Sequence, residues 1–61
     1  MNPIMKYFEY KHLPEHLQKI SKPLCDVAIE LNEILDDGPE KTAGLRKLLE
    51  AKDCFVRASI L

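Results

Sequence analysis

Leu17, Ile20, Leu24, Val27, Leu31 and Ile34 recur at alternating steps of three and four residues. That spacing keeps their side chains on one narrow stripe of an α-helix, a seam shaped to pack against another helix. A chain of 61 residues has room for one further helix of similar length. The seam therefore predicts an all-α fold, a two-helix antiparallel hairpin. A chain this short buries only about 60% of its unfolded surface, so the hairpin is expected to assemble as a homo-oligomer.

Hydrophobic residues make up 46% of the chain, enough for a core, and 31% of residues are charged. The formal net charge of −1 provides no global attraction to DNA, RNA or an anionic membrane. Any nucleotide would have to be held by a local basic pocket. No apolar run reaches the roughly 18 residues that span a bilayer. The start MNPIMKYFEY lacks the apolar stretch of a signal peptide, so the expected compartment is the cytoplasm. Cys25 and Cys54 have neither metal-ligand spacing nor the density of a disulfide scaffold. In a hairpin turning near Asp37, Cys25 faces position 49, and the five-residue misregister to Cys54 is roughly 7 Å. Both are expected to be small buried hydrophobes.

Residues 1–13 read as an arm. Pro3 stiffens it, and Tyr7, Phe8 and Tyr10 bring most of the chain's aromatic residues together. With neither a helical nor an alternating period, the arm is expected to be extended and laid across the helices. The hairpin occupies 14–61, with helix 1 at about 14–35, a turn at 36–38 and helix 2 at about 39–59. Pro14 suits a first turn, where a missing N–H is harmless. Pro23 removes a hydrogen bond and crowds the carbonyl of Lys19. The apolar stripe nevertheless keeps its phase through position 23, which favours a kinked continuous helix over a break at Ser21–Lys22. In the turn, Gly38 tolerates unusual φ, Pro39 opens helix 2, and Asp37 with Glu40 resembles a capping box. One face of helix 2 carries Leu45, Leu48, Leu49, Phe55 and Val56; a second stripe, Ala51, Cys54, Ala58 and Leu61, points elsewhere. One partner helix cannot cover both stripes, a further sign of packing between chains.

Few residues suggest chemistry. His12 and His16 are four apart, but Pro14 lies between them and no third ligand is evident, so no metal site is expected. Asp26, Glu30 and Glu33 form one solvated ridge of helix 1. No nucleophile elbow, phosphate-cradling glycine loop or HExxH occurs, so the chain reads as a non-enzyme without cofactors. Lys41, Arg46, Lys47, Lys52 and Arg57 line helix 2, and Arg46–Glu50, Asp53–Arg57 and Lys22–Asp26 are i,i+4 pairs. Such pairs decorate ordinary exposed helices. An oligomer can instead gather copies of one arginine around a symmetry axis and present guanidiniums to a phosphate, while arm aromatics stack on bases.

The stretch from Phe8 to Pro14, continued by EHLQKISKPL, and the run from Glu40 to Lys52 together resemble a family of small phage helical-hairpin proteins. Its characterised members are the anti-CBASS and anti-Thoeris cyclic-nucleotide sponges. The resemblance spans roughly residues 8–58 and is strongest in the Glu-x-Thr-x-x-Leu-x-Lys-Leu-x-Glu-Ala run beginning at Glu40. It implies a homo-oligomer, hexameric in known relatives, that binds cyclic oligonucleotide messengers without cleaving them in the cytoplasm of an infected bacterial host. By position, the cyclic dinucleotide residues of relatives map onto Tyr10 and Lys22, with Tyr7 the other arm tyrosine. A cyclic trinucleotide site, which some relatives build from a threonine and a late helix-2 arginine, would draw on Arg57, and Thr42 matches a family position at the start of helix 2. The chain departs from the pattern in its Tyr-Lys-His-Leu-Pro arm, in Pro23 beside Lys22, and in Asp53-Cys54-Phe55 where many relatives have Met-Trp.

The resulting expectation is sequestration of cyclic dinucleotides, cyclic trinucleotides or both, which would block CBASS-type defence. The alternatives are a small helical adaptor or inhibitor that binds a host or virion protein, and a minor phage structural protein.

Overall fold

The computed structural model describes residues 3–60 and is helical throughout, with no strand among the described residues. A 3-10 helix over Pro3–Phe8 precedes α1 (Glu15–Ile34) and α2 (Pro39–Ile60). The two long helices pack against each other as a hairpin, and the 3-10 segment touches both. At 1.5 Å per residue they run about 30 and 33 Å, which accounts for the 35 Å long axis of the molecule. Each expected helix boundary lies within one residue of the observed one.

The arm is not extended. Pro3 fixes φ at a helical value, and tight turns close as far as Phe8, whose ring is fully buried. Phe8 acts as the plug of the fold: with Cys25, Ala28 and Leu45 it forms the core, flanked by Ile4, Met5, Tyr10, Leu48 and Leu49. A second turn follows, in which Leu13 N–H donates to Tyr10 O at 3.0 Å. Gln18 Nε2 donates to Leu13 O at 2.8 Å and ties this linker to the first turn of α1.

α1 is a single helix that runs through Pro23 without a break at Ser21–Lys22. Its buried residues are Ser21, Cys25 and Ala28. These small residues, with half-buried Asn32, lie about 100° round the helix from the centre of the leucine seam, given 3.6 residues per turn. The buried stripe of α1 is thus the small one, where Cys25 and Ala28 meet Phe8 and Leu45 in the core. The seam is correspondingly displaced outward. Leu17, Ile20 and Leu24 are half-buried, while Val27, Leu31 and Ile34 are 42%, 37% and 69% exposed. This corrects the expectation that the seam faces α2.

In the connection, Gly38 does not use the left-handed region, since no described residue has positive φ. Its carbonyl accepts Thr42 N–H at 3.1 Å. Asp37 takes a different role from the box suggested by its sequence: its carboxylate accepts Lys41 Nζ at 2.9 Å. The same ammonium donates to Asn32 O and Leu35 O, both at 2.9 Å. α1 has no basic residue in its last turn, so a lysine from α2 satisfies its terminal carbonyls and opposes their negative dipole.

Along α2, Leu45 is buried, and Leu48, Leu49 and Val56 are half-buried, while Phe55 is 55% exposed. On its second stripe Ala51 is half-buried, and Cys54 and Ala58 are exposed; Leu61 lies outside the described residues. Cys25 and Cys54 are both free thiols, and only Cys25 is buried. Burial, reinforced by neighbouring Asp26 and Glu9, pushes the Cys25 thiol above its ordinary pKa and keeps it protonated.

Candidate functional site

The short arm helix sits over the hairpin and leaves an open groove on each flank, one against α1 and one against α2. Lys6 borders both. Phe8 anchors the arm from below, and Lys52 of α2 donates from Nζ to Tyr7 O at 2.7 Å. Lys52 is thus a half-buried structural strut, its side chain 13% exposed, and not part of a freely solvated basic face.

The groove against α1 encloses about 510 Å³. Its apolar wall comes from Met5, Cys25 and Ile29, and half-buried Tyr10 borders it. Charges of both signs ring it: Lys6 and Lys11 against Glu9, Asp26 and Glu33, a balance of two minus three, or −1. Lys22 lies just outside and pairs with Asp26 at 2.8 Å. That hydrogen bond and charge hold the Lys22 ammonium above its ordinary pKa, with a smaller contribution from Tyr10. Tyr10 and Lys22 are therefore neighbours, but Asp26 already partners the lysine. The side-chain oxygen of Asn32, which also lines this groove, is buried without a hydrogen-bond partner.

The groove against α2 encloses about 360 Å³ and has no acidic side chain in its lining. Thr42, Arg46 and Leu49 enter it from one face of α2 at i, i+4 and i+7; Lys6 and Tyr7 enter from the arm, with Pro3 and Ile4. Tyr7 is 54% exposed, and Lys6 Nζ sits 5.2 Å from its ring centroid in a cation–π contact. Arg46 has no ion-pair partner among the described residues.

The sequence-derived site residues are thus regrouped. Tyr10 and Lys22 fall together on the α1 side, whereas Tyr7 joins Thr42 in the α2 groove. Arg57 borders neither groove: its guanidinium donates to Cys54 Sγ at 3.4 Å, and Asp53 lies 3.7 Å from Lys52 instead. Thr42 and Arg57 stand 15 positions apart on one straight element, about 22 Å along its axis. A single chain cannot bring both to one small ligand. Sequence reasoning passed over Lys6 and did not assign Arg46 to a site. The available signals were adjacency to Tyr7 for the first and the i,i+4 step from Thr42 for the second.

Among the described residues, no three His, Cys, Asp or Glu side chains converge as metal ligands, and no helix is long and apolar enough to cross a membrane. No family model, curated protein or solved structure matches the chain.

Proposed function

We propose that this protein is a homo-oligomeric sponge that binds cyclic oligonucleotide messengers without cleaving them, in the manner of the phage anti-CBASS and anti-Thoeris proteins it resembles. The observation that carries the reading is the placement of the two arm tyrosines. Each borders its own open groove with cations beside it, Tyr7 with Lys6 and Arg46, Tyr10 with Lys11 and, nearby, Lys22. Bases stack on such rings for about 1–3 kcal/mol each. Phosphodiester oxygens on Lys or Arg add about 1.5–3 kcal/mol per charge-assisted hydrogen bond. Several contacts of this kind, multiplied by symmetry, outweigh the cost of association.

Self-association supplies the multiplicity. Val27, Leu31 and Ile34 of α1, with Leu35 just beyond its end, leave an apolar ridge that one hairpin does not cover, and Phe55 and Ile60 extend the apolar exposure on α2. A second copy burying this ridge brings further tyrosines and cations toward one ligand, and symmetry can gather distant Arg57 side chains. A hexamer is the assembly that the resemblance favours. Calorimetry with cyclic di- and trinucleotides, followed by chromatography of the recovered ligand, tests the proposal. Saturable binding with intact ligand returned supports it; absence of heat at micromolar protein refutes it. The same ridge also suits a foreign helix, so stoichiometric capture of one host or virion protein, without nucleotide binding, would favour an adaptor or inhibitor.

A further inference from the structure

The two grooves differ in a way that bears on how a ligand is divided among copies. The α1 groove is larger, carries a net negative ring and has its nearest outside lysine engaged by Asp26. The α2 groove combines two cations, an exposed aromatic ring and an apolar wall, with no carboxylate in its lining to compete for either cation. Its volume of about 360 Å³ lies at the small end of ligand pockets, which run from about 300 to 1,000 Å³. It suits one nucleotide unit better than a whole cyclic dinucleotide.

We infer that the α2 groove of each chain is a self-sufficient site for one phosphate-and-base unit, with Arg46 and Lys6 on the phosphate and Tyr7 stacked on the base. Arg46 offers the planar fork that matches phosphate oxygens, and no ion-pair partner has to be displaced from it. Lys6 already lies against the Tyr7 ring, so charge and stacking surface are held together before any ligand arrives. Lys52 fixes the backbone carbonyl of Tyr7 and limits the freedom of that segment. Leu49 on α2 contributes an apolar wall. A cyclic ligand with several such units is then held by several chains at once, each supplying one groove, and gains avidity from that linkage. The inference takes its ligand class from the proposed sponge activity, and assigns the recognition unit to Lys6, Tyr7 and Arg46 of a single chain.

A ¹H–¹⁵N titration of the full chain with adenosine 5′-monophosphate, adenosine and inorganic phosphate tests it. The expected result is saturable perturbation of Tyr7, Thr42 and Arg46 by the mononucleotide, with adenosine and phosphate each binding at least tenfold more weakly. Arg46→Gln and Tyr7→Leu, both at exposed positions, should each weaken mononucleotide binding tenfold or more while helical circular dichroism is unchanged. Lys19→Gln, at an exposed α1 position bordering neither groove, should leave it intact. Perturbations confined to Tyr10, Lys11 and Asp26 would overturn the assignment, as would phosphate binding as tightly as the mononucleotide. Cyclic dinucleotide binding that is indifferent to Arg46→Gln would also overturn it while leaving the sponge activity standing. Mononucleotide binding at the α2 groove without any affinity for cyclic nucleotides would support this site and remove the sponge.

Discussion

Replacing Lys41 with methionine removes an ammonium that joins the two helices at their turn while retaining an apolar stem in the same space. The side chain is 6% exposed, and Nζ donates to Asn32 O, Leu35 O and Asp37 Oδ1. The Leu35 and Asp37 contacts are exposed, and water can replace them. The Asn32 contact is partly buried, so its loss costs about 1.5–3 kcal/mol, and loss of a cation at the negative helix end adds about 0.3–1 kcal/mol. The expected destabilisation is about 2–4 kcal/mol. At roughly 4–8 °C per kcal/mol for a chain of this size, the melting temperature should fall by about 8–32 °C. Circular dichroism melts at one fixed protein concentration read this directly, because self-association also shifts the midpoint. Asp37→Asn, which removes only the exposed partner, should move the midpoint far less. A Lys41→Met midpoint within about 2 °C of the parent would refute the capping argument.

Ser21 is fully buried and its hydroxyl has no hydrogen-bond partner, so Ser21→Ala should raise stability by about 1 kcal/mol in denaturant titration. A Cβ at Gly44 meets nothing within 4 Å, so Gly44→Ala should add about 0.8–1 kcal/mol of helix propensity in the same assay; a loss would reveal another chain against that face. Phe8→Ala, which empties the centre of the core, should cost about 3–5 kcal/mol and leave no cooperative thermal transition. Ile34→Glu, on the exposed ridge, should lower the mass measured by light scattering while the helical signal persists. The Asp37–Lys41 pair should show its sign in acid. Asp37 has a lowered pKa because of the Lys41 hydrogen bond, so its contribution is present above the ordinary carboxylate range and is lost as pH falls through the lowered value. Asp37→Asn should remove that acid-side dependence.

The helical hairpin was legible because its strongest signals are local. Two amphipathic stretches separated by Asp-Asp-Gly-Pro leave little choice of class, and Pro39 opens α2 as its chemistry requires. The face of α1 that meets α2 was not legible. Periodicity marks where large apolar residues lie, whereas the buried stripe of α1 is the small one that meets the Phe8 ring. Ser21, Cys25 and Ala28 are small enough to leave room for that ring, and a hydropathy pattern gives such residues little weight. The arm was misread for a related reason. Its 3-10 helix depends on Phe8 filling the space between α1 and α2, a tertiary contact that overrides weak local preference. Lys41 and Lys52 read as surface charge because composition does not reveal which long side chain will reach a backbone carbonyl across the fold. The site was only partly legible: the arm tyrosines and Thr42 do border grooves, but their grouping follows from which side of the arm each faces.

Native mass spectrometry of the full chain mixed with a cyclic dinucleotide reads assembly and ligand in one spectrum. The account predicts a defined homo-oligomer carrying whole, unhydrolysed ligand in a stoichiometry set by its symmetry. A monomer with no bound ligand, or release of the linear hydrolysis product, would contradict it.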